Sequence, residues 1–331
     1  MESAAILVAT RDALLRVDAG AIGLPAALEG LRPACLAADL TRQGRAWCGT
    51  VEGAVLRSDD GGATWIEAGR LPGEVTAVAA SPAEAGTDGA FVYAGTEPSA
   101  LWRTEDAGGS WTRAEGLLDL PSAGEWSFPP RPDTHHVRWI APHPVSRGRL
   151  YVAIEAGALV TTPDGGRTWR DRVPGGPYDT HELAIHPDRP DTLRVAAGDG
   201  YYESHDGGQT WESPMEGLDV GYLRSVAVDP GDPEAVVISA ASRAHSAYMA
   251  GRSDGRVYRR EGPGRWERVT DGWPAEPSTI APLLRPGSRP GELRAADERG
   301  VHESADGGRS WERVVAFEPA PAWLRGLTPL G

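Results

Sequence analysis

The chain has 331 residues and a formal charge of −14 at pH 7, from 47 acidic side chains against 33 basic ones. That balance disfavours a nucleic-acid partner, because phosphates would be repelled. No run of about 18 apolar residues occurs, so no membrane span is expected. The two cysteines, Cys35 and Cys48, are too few for a disulfide framework.

No lysine occurs, so every basic residue is an arginine. Together with the abundant Ala, Gly and Pro, this reflects composition bias rather than function. The N-terminus, Met1 to Val8, lacks a basic start and enters strand character at once in Ala5-Ile6-Leu7-Val8-Ala9. No signal peptide is therefore expected, and a reducing, cytoplasmic location fits. The 42 glycines and 28 prolines supply the punctuation of many short strands and turns.

Along the chain one motif recurs, Ser/Thr-x-Asp-x-Gly-x-Ser/Thr-Trp. A degenerate first copy, Leu15 to Gly20, keeps Asp18 and loses the Trp. Full copies follow at Ser58 to Trp65, Thr104 to Trp111, Thr162 to Trp169, Ser204 to Trp211 and Ser304 to Trp311. The second of these reads as one residue longer before its second Gly, or shifted by one. Between the last two lies another degenerate copy, Arg259 to Trp266. Motif starts are 42 to 58 residues apart, the length of one four-stranded blade. The Asp of each motif accepts hydrogen bonds from turn amides, the glycines supply positive φ, and the Trp covers the turn. Because the motif recurs in every blade, these aspartates read as structural staples, not as metal or acid catalysts.

Each motif is preceded by two apolar strands, such as Leu150 to Ile154 and Ala158 to Thr161, joined by the turn Glu155-Ala156-Gly157. An inner strand ending in Pro comes before them, as in Ile140 to Pro144, Leu183 to Pro187 and Val226 to Pro230. The strand after the Trp is the fourth. The N-terminus supplies a second strand with no inner strand, and Ala322 to Leu327 supplies an inner strand with nothing after it. The expected fold is all-β: a seven-bladed β-propeller of four-stranded antiparallel blades spanning 1–331. Blade 1 joins 1–30 with 320–331, which closes the ring and removes exposed edges.

The five Asp-boxes resemble those of the bacterial neuraminidase repeat (BNR) propellers, over nearly the whole chain. That superfamily includes sialidases, xyloglucan-degrading glycosidases, sorting-receptor ectodomains and the photosystem II assembly factor. The resemblance implies the fold, but it divides on function, since relatives include enzymes and non-catalytic binders. The sialidase branch implies an early Phe/Tyr-Arg-Ile-Pro motif and six blades. Neither is found here, so sialidase activity is not expected.

Two insertions fall on the face opposite the Asp-boxes, at 117–136 between blades 3 and 4 and at 242–254 within blade 6. Long loops on one face of a rigid ring are where function usually sits. Aligned on their terminal prolines, the inner strands carry Thr76, Arg138, His181, Arg224, Ile280 and Arg325 in one tier. Glu74, His136, Asp179, Tyr222, Ser278 and Trp323 stand two residues earlier. Arg138, Arg224 and Arg325 offer forks to a carboxylate, phosphate or acidic side chain. Trp126, Tyr222, Tyr248 and Trp323 would stack on a sugar or ring, with His136 beside them. The bland reading pairs these cations with Asp179, Glu182 or Glu97.

Three function classes stay open. One is a binding module for a small anionic or carbohydrate ligand, or for a partner protein's acidic segment. The second is a glycosidase-like hydrolase or lyase using His181 and Glu182, with Glu97, Glu125, Asp179 and Glu182 as candidate carboxyls. The third is an assembly scaffold marked by an apolar surface patch. A divalent metal held by His135, His136, His181 and His245 is a further option, although no pair has helix-type ligand spacing.

Overall fold

Each Asp-box forms a turn that satisfies its own polar groups. In blade 2, Thr64 donates to Asp60 through its backbone N (2.9 Å) and its hydroxyl (2.6 Å), while the Ser58 hydroxyl donates to the same carboxylate at 2.8 Å. The Gly62 amide then donates to Ser58 Oγ at 2.8 Å. The same pattern recurs around Asp106, Asp164, Asp206 and Asp306. The turn requires positive φ at two successive positions, filled by glycine pairs such as Gly165 (72°) and Gly166 (88°). In blade 3 the first of these positions is Ala107, at φ 55°. That copy therefore has the same length as the others, with neither an added residue nor a shift, and an alanine stands where the others carry glycine.

The computed structural model describes residues 5–18, 21–23, 28, 30–86, 88–274 and 277–330. Ala19 and Gly20 of the first degenerate copy lie outside them. Among the described residues the strands form seven antiparallel sheets, each running outward from an inner strand. The inner strands, from blade 1 to blade 7, are Leu324–Pro329, Pro33–Ala38, Glu74–Gly86, His136–Pro142, Thr180–Ile185, Tyr222–Asp229 and Leu283–Pro286. Five sheets have four strands. In blades 4 and 5 the outer strand shrinks to a single bridge, Thr161 with Arg170 and Glu203 with Glu212. No helix among the described residues is long and apolar enough to cross a membrane.

Apolar faces of neighbouring blades pack on each other. One core joins Trp47 and Val55 of blade 2 to Val75 and Val92 of blade 3. Two motif tryptophans tie blades together, with Trp111 Nε1 donating to Ala68 O in the preceding blade at 2.8 Å and Trp169 Nε1 to Glu115 O at 2.9 Å, while Trp65 and Trp311 donate within their own turns. Ring closure is as expected, with Ile6 to Ala9 pairing antiparallel with Gly326 to Pro329. Leu324 and Leu327 from the last strand, and Leu330 just after it, are buried in two cores.

Two predictions follow from this architecture. Deleting residues from 322 onward removes three buried leucines worth roughly 1.5–3 kcal/mol each, and reopens a sheet edge. Thermal denaturation should show loss of the cooperative transition or a large fall in Tm; an unchanged transition would contradict closure. The second concerns acid. The Thr64 hydroxyl above all, together with the Thr64 amide and Ser58, holds Asp60 at about 2 against its slight burial. The Thr210 hydroxyl and amide hold Asp206 at about 2. Both lie below the ordinary value of about 3.9. The stability they contribute is present above about pH 4 and is lost as pH falls through about 2. Carboxyl NMR titration checks it, and titration of either group near 4 would refute it.

Candidate functional site

In six of the seven inner strands the ladder skips one residue at the same level. The skipped residues are Ala34, Thr76, Arg138, His181, Arg224 and Arg325. A β-bulge leaves its extra residue unpaired and re-aims the side chain. All six line the central channel, a space of about 550 Å³ open to solvent. Five of the six residues expected from the proline alignment lie in this tier, turned inward by the bulges; the sixth, Ile280, is buried in a core between blades 7 and 1, and Ala34 of blade 2 joins the tier instead.

The channel cations are met in three ways. Arg325 donates to Glu74 Oε1 at 3.0 Å. Arg138 Nε lies 3.2 Å from Glu155 Oε2, and its Nη2 donates to the Tyr248 hydroxyl at 3.1 Å. Arg224, fully enclosed, has no ion-pair partner among the described residues. It donates to the backbone carbonyls of Ala281 (2.7 Å), Leu324 (2.7 Å) and Ala247 (3.3 Å), and lies under the Tyr248 ring at 4.6 Å. Burial presses its guanidinium down to about 10, still charged at neutral pH. The Nε–H groups of Arg224 and Arg325 are buried and meet no acceptor.

Aromatic side chains wall one side of the mouth. The 242–254 insertion forms a short helix, Ala244–Tyr248, seated through Ala247 on Ala281. It lays Tyr248 parallel to Trp323 (5.3 Å, 9°) and edge-on to Tyr222 at 6.2 Å. Trp323 keeps 37% of its surface exposed. Burial opposes ionisation of Tyr248, but His181 and Arg138 outweigh it and hold the phenol below its ordinary range. Burial, with Tyr248 next, pushes Tyr222 up.

His181 sits at the centre. Its Nδ1 is 2.5 Å from Leu223 O, and its Nε2 is 3.3 Å from the Tyr222 hydroxyl. Burial works against the imidazolium, but Tyr248 and the charges of Asp179 and Glu155 outweigh it and raise His181 to about 10. Glu155 is the residue the sequence reading passed over as a turn residue. Its carboxylate meets Arg138, His136 Nε2 (3.3 Å) and His181, which hold it well below the usual range although burial opposes this. A charged residue ending the apolar strand Leu150–Glu155, at a turn on the insertion face, was the signal available.

Other expected members lie elsewhere. Trp126 is buried, not presented to a ligand: its Nε1 donates to Ser122 Oγ at 2.9 Å, and its ring packs on Gly157. Backbone bonds between Ser127 and Ala156 lace this insertion to the Glu155 turn, so the loop braces that carboxylate. Glu182 lies deeper in the channel, held by Arg285 and by the Ser225 hydroxyl at 2.5 Å. Glu125 pairs on the surface with Arg172, and Glu97 sits behind His136 and pairs with Arg131. The four candidate histidines do not converge. His135 packs edge-on against Trp126, His136 lies between Glu97 and Glu155, and His245 is exposed on the short helix. Among the described residues, the group whose ligand atoms approach one another is Glu155, Asp179 and His181.

The arginines therefore differ in kind. Arg224→Ala should cost about 3 kcal/mol or more, because buried carbonyls lose their donor. Arg138→Ala and Arg325→Ala, in partly exposed pairs, should each cost about 1 kcal/mol or less. Denaturant titration separates the two classes, and equal losses would contradict the distinction.

The family model for the BNR/Asp-box repeat matches residues 202–213, the blade 5 Asp-box. No curated protein matches the sequence. Among solved structures, the GH74 xyloglucanase from Xanthomonas campestris aligns with a TM-score of 0.72 at 17% identity, over 99% of this chain and 52% of that one. The Niastella koreensis GH74 enzyme aligns with a TM-score of 0.71 at 18% identity, over 94% and 52%. YCF48 bound to D1 peptide aligns with a TM-score of 0.58 at 18% identity, over 85% and 81%. The chain thus spans about half the length of these GH74 enzymes. At such identities the likeness establishes the fold alone.

Proposed function

We propose that the protein is a binding propeller whose channel mouth takes an anionic ligand, either a small carboxylate-bearing molecule or sugar or the acidic segment of a partner protein. One observation carries this reading: in a chain of charge −14, bulges in four inner strands turn Arg138, His181, Arg224 and Arg325 into one channel. The buried Nε–H groups of Arg224 and Arg325 leave donor capacity for a carboxylate. Trp323, stacked on Tyr248 and partly exposed, offers a flat face to a ring or sugar. The structural neighbour YCF48 is described with a bound D1 peptide, which makes a peptide ligand a natural first probe. A reducing, cytoplasmic setting belongs to the same reading, since Cys35 and Cys48 are both free and buried.

Acid–base catalysis by His181 and Glu182 is the weaker reading. Glu182 is held by Arg285 and Ser225 inside the channel, and His181 Nδ1 is tied to a backbone carbonyl. Neither is free to move a proton to a ligand seated on Trp323.

Calorimetry with a glutamate-rich hexapeptide, citrate and a neutral xyloglucan oligosaccharide tests the proposal. At least one anionic probe should bind in a salt-sensitive manner. Arg138→Ala and Trp323→Ala should each weaken that binding by about tenfold or more, roughly 1.4 kcal/mol, with Tm nearly unchanged. Binding of the neutral sugar alone, untouched by Arg138→Ala, would overturn it.

A further inference from the structure

Three side chains at the mouth face one another without satisfying one another. His181 Nε2 lies 3.6 Å from Asp179 Oδ2 and 3.9 Å from Glu155 Oε1. These separations exceed a good hydrogen bond. One ligand atom from each of the three residues falls within 4.8 Å of the others. The second oxygen of Asp179, Oδ1, is buried and has no hydrogen-bond partner.

The surroundings prepare these atoms as ligands. A carbonyl oxygen only accepts, so the 2.5 Å contact of His181 Nδ1 with Leu223 O places a proton there and leaves Nε2, which also lies 3.3 Å from the Tyr222 hydroxyl, as the nitrogen facing the two carboxylates. Metal-bound histidines are commonly oriented in this way. Glu155 Oε2 is anchored by Arg138 Nε (3.2 Å) and His136 Nε2 (3.3 Å), which leaves Oε1 for the cluster. Space is reserved as well. A Cβ on Gly198 would stand 2.1 Å from Asp179 Oδ2 and 3.2 Å from His181 Cε1. Gly198 is not among the positive-φ glycines, so a side chain there would act by displacing the Asp179 carboxylate and not through backbone conformation.

We propose that Glu155, Asp179 and His181 are a three-ligand site for a divalent transition-metal ion such as Zn²⁺, Co²⁺ or Mn²⁺, open on the channel side. Bonds of about 2.0–2.2 Å set neighbouring ligand atoms roughly 3–3.5 Å apart, so the two His181 separations of 3.6 and 3.9 Å need to close by a few tenths of an ångström, and the cluster as a whole starts within 4.8 Å. One imidazole with two carboxylates suits these ions, whereas Ca²⁺ takes six to eight oxygens. Three protein ligands leave positions free for water or a ligand donor. The negative field that favours the His181 imidazolium attracts a dication too. Proton and metal compete for one lone pair, and uptake releases a proton. The site stands whether or not an anion binds the arginines.

The test is titration of the chelator-stripped protein with Co²⁺ and Zn²⁺, followed by calorimetry and by the visible absorption of bound Co²⁺. One equivalent should bind at about pH 8.5, and at least about tenfold more weakly at about pH 6.5, with proton release. Asp179→Asn and Gly198→Ala should each weaken binding by about tenfold or more, while His245→Ala leaves it unchanged. Asp179→Asn keeps size and shape at a partly exposed position, so its circular dichroism should match the parent. No saturable uptake of either ion at the higher pH would overturn the proposal. So would uptake that Asp179→Asn and Glu155→Gln leave intact.

Discussion

Everything at the mouth depends on one geometric constraint: the inner strands of a closed ring must pair outward with their own blades while converging on a shared axis. A regular ladder would commit each residue at this level to strict alternation between neighbouring blades. A bulge releases one residue per strand from that alternation. Six blades place it at the same level, and the released residues form a ring around the channel. Closure by Leu324–Pro329 against Ile6–Thr10 holds the ring in register. The last of the six, Arg325, therefore belongs to the strand that closes the circle, so the site and the closure share one element.

Burying cations near a channel axis is costly unless each is answered. The answers come from different blades. Arg325 of blade 1 meets Glu74 of blade 3, and Arg138 of blade 4 meets the second strand of its own blade at Glu155. Arg224 of blade 6 is answered by carbonyls from its own insertion, blade 7 and blade 1. Deeper in the channel, Arg285 of blade 7 meets Glu182 of blade 5 and lies over Trp139 of blade 4. Several of these contacts tie non-adjacent blades together across the channel. They also explain why Arg224 is a structural cation with spare donor capacity, while Arg138 and Arg325 sit in pairs that a ligand can compete for.

How much of this was legible in the sequence follows from what each signal measures. Local repeats reported the fold: the Asp-box fixes its own turn through Asp60, Thr64 and Ser58, so its imprint survives in each copy. Counting copies, including the degenerate Arg259 to Trp266, gave seven sheets. Alignment on the prolines found Thr76, Arg138, His181, Arg224 and Arg325, because equal blades put equal positions at equal heights. It also placed Ile280, although the blade 7 inner strand begins only at Leu283 and carries no matching bulge. What stayed hidden is non-local. Glu155 lies on a different strand from the tier it serves, and Gly198 matters through space that Asp179 fills. Trp126, aromatic in an insertion, looked like a ligand platform, but the loop folds back and spends that ring on packing against Gly157.

The two faces of the disc divide the work for a physical reason. On the Asp-box face, each aspartate is satisfied within eight residues, so each turn is stable on its own terms and each copy can stay alike. On the opposite face many polar groups are satisfied across blades, through side chains that differ from blade to blade. A change there alters the channel without disturbing any turn. The repeated half of the sequence therefore reports how the chain folds, and the unrepeated half carries its chemistry. In this chain that half gathers Tyr248 from an insertion, Trp323 from the closing segment, and Glu155, Asp179 and His181 from two adjacent blades. They come from blades 4, 5 and 6 and from the segment leading into the closing strand, so no single repeat contains the site.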